Sequence, residues 1–351
     1  MTKTSFYSFL QKIPKSEIHI HFEAVVSHAS IKKLYKKRFG KPLSAHAQKS
    51  YFSYPDLNGF VQAFLKVQDL FLTPDDFSLV FDDLKAYLIK NNIVYCEAFF
   101  SPTAFIKKGF KYKDIVSVID RNIRQIEQET GRTVRFLIDV SRTFGAQNAQ
   151  DNYRAFREHQ SPYIIGIGLG GAEQKGPPQW FEPVFKAARE DSVHVVAHAG
   201  EDLGPQSIWD TIQFLQVERI GHGITAIYDK KLMDYLKSTQ LPLEICPTSN
   251  LFTKRFVTEM KKHPIRQLFN HGILTTINTD DPVFFKISLT DEYWNLYRSL
   301  HFSMEEIRTL IKNGFKATFL PDSQKESYMA AVDAAFAEAA AADAAAASSK
   351  S

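Results

Sequence analysis

Short runs dense in apolar and β-branched residues recur along the chain, and most are separated by segments whose apolar positions fall three and four apart. The first pattern reads as buried strands, the second as amphipathic helices. Eight strand-like runs are found: Glu17 to His21, Ile93 to Phe100, Thr133 to Val140, Tyr163 to Leu169, Val193 to His198, Arg219 to Gly221, Leu243 to Cys246 and Ile273 to Thr279. The sixth is very short and is inferred from its neighbours. Among the intervening helices, Asp114 to Glu129 carries Ile115, Val118, Ile119, Ile123 and Ile126 at helical spacing and stops at Gly131, a residue suited to a left-handed C-terminal cap. Segments from Gln179 to Asp191, Ser207 to Val217, Lys230 to Ser238 and His263 to Gly272 fill later crossovers.

About seventy residues separate the first two runs, far more than one crossover helix needs. They read as a helical insertion, about residues 28–90, with helices over Ser30 to Phe39 and Asp56 to Phe71. A third is opened by Thr73-Pro74-Asp75-Asp76 as cap, first-turn proline and acidic first turn. After Leu289 the pattern is purely helical and ends in an alanine-rich tail, about residues 330–351. Alanine favours helix, but from Ala339 onward there is almost no side chain to pack, so a fraying end is expected. Strand and helix alternating eight times predicts an α/β fold, a (β/α)8 TIM barrel with a helical insertion after strand 1 and additional C-terminal helices. An open sheet with an added helical domain is the alternative architecture. The whole chain, 1–351, reads as one barrel domain.

Composition narrows the partners. Hydrophobic residues make up 44% and charged ones 23%, an ordinary globular balance. No apolar run approaches the ~20 residues of a spanning helix, and the apolar stretch Phe6 to Leu10 is broken by Gln11-Lys12 too soon for a signal peptide. A cytoplasmic protein with no membrane partner is expected. A net charge of +4, from 43 basic and 39 acidic residues, is too even to imply a nucleic-acid partner. Lys32, Lys33, Lys36, Lys37 and Arg38 fall on a helical pattern and read as a solvated face. Cys96 and Cys246 read as reduced thiols, and nothing in the sequence points to a protein partner.

Potential chemistry gathers at the C-terminal ends of the strand-like runs, where barrel enzymes collect their catalytic groups. His198-Ala199-Gly200-Glu201 ends the fifth run, and its glycine permits a sharp turn that brings His198 and Glu201 to one cavity. His19 and His21 alternate on the first strand and so face the same side. Gly221-His222-Gly223 closes the sixth run and Asp280-Asp281 the eighth. Three imidazoles from His19, His21 and His198 with the Asp280 carboxylate suit one zinc ion and leave a position for water. Any one of these residues alone would read as a hydrogen-bonded structural group. His194 reads as structural, facing the barrel core, and Glu97 and Asp139 as core hydrogen-bonding groups or pocket linings. His28, His46, His159, His263, His271 and His301 read as surface.

Six motifs in this order, Pro14-Lys15-Ser16-Glu17-Ile18-His19-Ile20-His21, Gly168-Leu169-Gly170-Gly171, His198-Ala199-Gly200-Glu201, Arg219-Ile220-Gly221-His222-Gly223, Pro247-Thr248-Ser249-Asn250 and Asn278-Thr279-Asp280-Asp281-Pro282, resemble the adenosine deaminase family of the amidohydrolase superfamily. The likeness runs from about Ile13 to about Phe336. It implies one Zn2+ per chain on His19, His21, His198 and Asp280, with Glu201 protonating the purine N1 and His222 orienting or deprotonating the attacking water. It further implies that Asp281 hydrogen-bonds N7, that the Gly171 amide meets N3, and that the insertion bearing Phe60 and Phe64 covers a nucleoside. Two-metal amidohydrolases carry a bridging lysine after the fourth strand, and Gly168 to Glu173 has none. Neither cysteine fits the Pro-Cys-x-x-Cys pattern of the small zinc deaminases.

The resemblance therefore implies a hydrolase of a cyclic amidine C–N bond, acting on a small-molecule purine nucleoside or base in purine metabolism, with adenosine converted to inosine and ammonia. Adenine or 6-aminodeoxyfutalosine is the alternative substrate, and a non-catalytic zinc-containing binding protein the alternative class. Glu201 and His222 argue against a mere binder, which needs neither proton donor nor base. The sugar end departs from the adenosine-specific pattern: Glu23-Ala24 stands where those members have an acidic residue and glycine touching the ribose, and Gly168 replaces a common aspartate.

Overall fold

A computed structural model describes residues 1–52, 54 and 57–348. Among the described residues, eight parallel strands follow one another around a nearly closed barrel in sequence order. They are β1 (Lys15–His21), β2 (Ile93–Phe100), β3 (Thr133–Asp139), β4 (Ile164–Leu169), β5 (His194–Ala199), β6 (Arg219–His222), β7 (Leu243–Ile245) and β8 (Thr275–Ile277). Helices or helical turns occupy every crossover, giving the (β/α)8 TIM barrel expected from the alternation. Strands covered on both faces read as near-continuous apolar runs, and β2 runs Ile-Val-Tyr-Cys-Glu-Ala-Phe-Phe with all but Val94 buried.

The eighth strand is shorter than its apolar run because a side chain completes the closure. The Asn278 Oδ1 accepts the backbone N–H groups of Ile18 and His19 at 2.9 and 3.1 Å. Beyond it, the Asp280 amide donates to the His19 carbonyl at 3.1 Å and the His21 amide to the Asp280 carbonyl at 2.8 Å. Closure thus sets the metal-ligand candidates of β1 directly beside Asp280.

The insertion after β1 contains helices His28–Phe39, Ala45–Phe52, Leu57–Asp69 and Phe77–Asn91. Asp56, where the second was expected to begin, lies outside the described residues. Thr73 and Asp76 form a reciprocal capping box around Pro74. Of the helices that escaped the periodicity, the two longest are Gly145–Glu158, between β3 and β4, and Lys3–Lys12; shorter ones include Ala45–Phe52 and Pro247–Thr253. Helix Gly145–Glu158 buries only Ala149, Asn152, Tyr153 and Phe156, too few apolar positions to stand out among its polar ones.

Helix Asp322–Ser348 runs on past Ala339. Its first half docks through buried Val332 and Phe336 and through Asp333, which accepts from Arg308 at 2.8 Å and Lys312 at 2.7 Å. The alanines then propagate the helix at little intrinsic cost. The rest of the alanine-rich tail, residues 349–351, lies outside the described residues. No helix among the described residues is long and apolar enough to cross a membrane.

Candidate active site

Period-two alternation places Glu17, His19 and His21 of β1 on the inner face, with Glu97 and Phe99 of β2 and Val196 and His198 of β5. A small cluster of Phe99, Leu137 and Val196 packs there, separate from the main core. Phe99 lies against His19, His21 and His198, with ring centroids 5.0, 5.4 and 5.4 Å apart. A side chain on Gly168 would meet the Phe99 ring at 2.6 Å. The aspartate common in adenosine-specific members therefore has no room here, because Phe99 fills its place.

His19, His21, His198 and Asp280 bring one ligand atom each within 4.8 Å of one another. The His21 and His19 Nε2 atoms lie 3.2 and 3.6 Å from the Asp280 Oδ1. His19 Nε2 and His198 Nδ1 are buried with no hydrogen-bond partner among the described residues, and such orphans in a polar pocket fit a cation. The His19 Nδ1 lies 2.8 Å from Glu244 Oε2, so its hydrogen is held there and the Nε2 lone pair is left for a metal. Donor set, burial and orphaned nitrogens all fit one divalent ion.

Charge is arranged to match. Burial works against a charge on Asp280, but His19 and His21 outweigh it and hold the carboxyl well below its ordinary range. Asp281 beside it moves the opposite way, raised by burial and by Asp280. Burial and the carboxylates of Asp280, Asp202, Glu173 and Asp281 also push Glu201 well above the usual range. Desolvation lowers His198, reinforced by the other imidazoles. Neighbouring acids are thus pushed in opposite directions, Asp280 toward its ionised form and Glu201 and Asp281 toward their protonated forms.

The loop carrying Glu201 is held by Glu173, which accepts the N–H groups of Gly200, Glu201 and Asp202 at 3.0, 2.8 and 2.7 Å. Gly200 turns with φ +69°, a conformation that favours glycine. The Glu201 Oε2 faces His222 Nε2 at 3.4 Å, and the same nitrogen lies 3.8 Å from Asp280 Oδ2. His222 and Asp280 both have positive φ, +62° and +65°, strain of a kind that gathers at functional sites. Ser249 Oγ donates to Asp280 Oδ2 at 2.7 Å.

Other expected site residues lie around this group. Asp281 immediately precedes the short helix Pro282–Phe285, and Phe60 and Phe64 pack on that helix, Phe60 5.1 Å from Phe285 and Phe64 5.5 Å from Phe284. Gly171 turns at φ +84° against Ser141 and Thr143. Glu23 is buried, and its Oε1 accepts from the Ser101 amide at 3.1 Å. Its Oε2 has no partner among the described residues, and desolvation pushes the carboxyl up to about 7. Asp139 accepts from Ser101 Oγ and the amides of Ser141 and Gly170.

Glu97 is the core hydrogen-bonding group expected, but its partners Arg219 and Glu244 and the burial of His263 were not legible in the sequence. Glu97 and Glu244 clamp Arg219, with Arg219 Nη2 2.5 Å from Glu97 and Nε 2.6 Å from Glu244, all fully buried. The chain Glu97–Arg219–Glu244–His19 orients a candidate metal ligand. His194 does not face the core: it is partly exposed at the start of β5, paired with Glu218 and stacked on Phe319 at 3.7 Å. His263 is buried rather than on the surface, because Pro264 and the following helix fold it back under Asn250. Of the other five histidines read as surface, His28, His46 and His301 are exposed, and His159 and His271 half-buried. The burial of Cys246 raises its thiol pKa well above the ordinary range, consistent with a protonated thiol near the site.

The family model described as adenosine deaminase matches residues 14–335. An aminodeoxyfutalosine deaminase of Streptomyces avermitilis is 31% identical over 336 residues, covering 95% of this chain and 94% of that protein. An adenine deaminase of Wolinella succinogenes is 33% identical over 329 residues, covering 91% and 97%. The crystal structure of an adenine deaminase from Arthrobacter aurescens superposes with a TM-score of 0.85 at 26% identity, covering 92% of this chain and 98% of that one.

Proposed function

The chain belongs to the adenosine deaminase family, a family of hydrolases acting on C–N bonds, and from that premise we propose that it hydrolyses the 6-amino group of an adenine ring, free adenine first, with one zinc ion per chain. The observation carrying this reading is the convergence of His19, His21, His198 and Asp280 beside the Glu201–His222 pair at one end of the barrel. A bound zinc ion would supply water of lowered pKa near neutrality. His19, His21, His198 and Asp280 would hold it.

The chain's own residues account for the rest. C6 of the aromatic ring accepts a water oxygen only as N1 gains a proton, and Glu201, whose surroundings favour its protonated form, is the donor. N7 carries a lone pair and needs a donor, which the raised Asp281 carboxyl can be. The Gly171 amide would meet N3, and Phe60 and Phe64 would cover the substrate through the helix that follows Asp281.

Adenosine itself is the less favoured substrate. Ala24 is fully buried where adenosine-specific members have glycine, and even one added carbon is felt in a close-packed site. The unpartnered Glu23 Oε2 suits the N9–H of free adenine, a hydrogen that every nucleoside lacks. Two adenine deaminases among the relatives agree with this. A second reading, a 5′-extended adenosine such as 6-aminodeoxyfutalosine, is favoured by the Streptomyces relative.

Two measurements test these readings. Loss of absorbance in the adenine band, followed for adenine, adenosine, 5′-methylthioadenosine and 6-aminodeoxyfutalosine, should give adenine the highest kcat/KM. Glu23→Gln should then lower kcat/KM more for adenine than for any nucleoside in the panel; adenosine ranking first would overturn the assignment. Elemental analysis should find one zinc per chain, lost in the His19→Ala, His198→Ala double variant. Two zinc ions, or zinc retained in that variant, would contradict the ligand set.

A further inference from the structure

Behind His222 runs a chain of hydrogen bonds that ends on a backbone amide. The Ile265 N–H donates to His263 Nδ1 at 3.1 Å. His263 Nε2 lies 3.1 Å from Asn250 Oδ1, and Asn250 Nδ2 lies 3.1 Å from His222 Nδ1. Asn250 and His222 are 0% and 1% exposed and His263 3%, so no solvent competes for these contacts.

A backbone amide only donates, so the direction of the whole chain follows from it. His263 Nδ1 is an acceptor, and a neutral imidazole carries its single hydrogen on the other nitrogen. Desolvation pushes His263 down to about 3, which keeps it neutral. His263 Nε2–H therefore donates to the Asn250 carbonyl. The Asn250 amide, with its orientation decided, donates to His222 Nδ1. A hydrogen on His222 Nδ1 would collide with that donor.

Taking the deaminase reading as its basis, we propose that His263 is a positioning residue: through Asn250 it fixes His222 in the tautomer with hydrogen on Nε2, so that His222 donates to the attacking water's oxygen and does not take its proton. The Nε2 atom is buried and has no hydrogen-bond partner among the described residues, and it faces Glu201 and Asp280 at 3.4 and 3.8 Å. The proton released by the water then passes to the Asp280 carboxylate and from there to the departing amine. Glu201 gives its proton to N1 and recovers one from the new C6 hydroxyl as the C6–N bond breaks. The water oxygen stays on C6 as the 6-oxo group, the amino group leaves as ammonia, and every proton is accounted for.

The test has a readout apart from turnover. In the zinc-loaded enzyme with 15N-labelled histidine, the His222 resonances, identified by their absence in His222→Gln, should show Nδ1 unprotonated and Nε2 protonated. Asn250→Asp offers two acceptors in place of one, and should move the hydrogen to Nδ1 and cut kcat by at least ~10²-fold, with KM little changed. His263→Phe removes the anchoring donor and should cost about 10–100-fold in kcat, as loss of a supporting partner behind a site residue does. His263→Gln, which can still donate to Asn250, should recover most of that loss. Nδ1 found protonated in the wild-type protein would overturn the proposal without any activity measurement, as would wild-type kcat in a folded, zinc-loaded His263→Phe. Should the enzyme turn over none of the four purines while the His222 spectrum is as described, the deaminase reading fails and the tautomer assignment stands.

Discussion

Glu201→Gln is expected to keep zinc and substrate-analogue binding while cutting turnover by at least ~10²-fold, the usual cost of removing a general acid. Glutamine keeps the shape of the side chain and its contact with His222 at the site, but it has no proton to give to N1. The backbone of the loop is untouched, since Glu173 holds Gly200, Glu201 and Asp202 through their amides. The expected signature is therefore a fall in kcat with KM nearly constant. His222→Ala should also slow turnover sharply. Because both side chains would serve one transition state, the double variant should lose far less than the product of the two single losses. Wild-type kcat in Glu201→Gln would remove this residue from the chemistry.

Arg219→Leu should be the most damaging single change to stability, at about 3–5 kcal/mol near neutral pH. The guanidinium lies in the barrel interior between Glu97 and Glu244, donates to the Ala317 carbonyl at 2.9 Å, and stacks on Phe319. Removing it leaves two buried carboxylates without their cation. Burial alone would raise the Glu244 pKa, but Arg219 and His19 outweigh it and hold the native value below normal. A depressed carboxyl stabilises the fold above its unfolded pKa and loses that contribution as pH falls through the native value. In the variant the Glu244 pKa should rise instead, so the deficit should be largest near neutrality and shrink as acid protonates the group. Denaturant titrations of both proteins at pH 7 and pH 5 measure this; a deficit independent of pH would assign the cost to packing alone. Zinc affinity should fall about 10–100-fold in the same variant, because Glu244 would no longer be held against His19.

Much of the architecture was legible in the chain because barrel strands are buried on both faces and crossover helices on one. Those two environments impose different apolar periods, and β2 was bounded to the residue at Ile93 and Phe100. Strand β8 was overextended, since its apolar run continues past the point where the Asn278 side chain takes over the bonding. The site's donors were legible for a related reason. A histidine or carboxylate at the C-terminal end of a strand stands out against apolar neighbours, and alternation alone put His19 and His21 on one face.

What lies behind those donors was decided only by the tertiary structure. Glu97, Arg219 and Glu244 sit on three strands, and their charges are tolerable in a barrel core only because the closed sheet brings them within hydrogen-bond reach. His263 follows a turn rich in lysine and looks solvent-exposed in sequence, yet Pro264 and the next helix bury it under Asn250. Gly168 makes room for the Phe99 ring from a strand two places away in the barrel, a contact that neither strand's pattern reveals. Periodicity reports which side of an element is buried, whereas these properties depend on which side chains meet across the barrel, and that is set by register and closure.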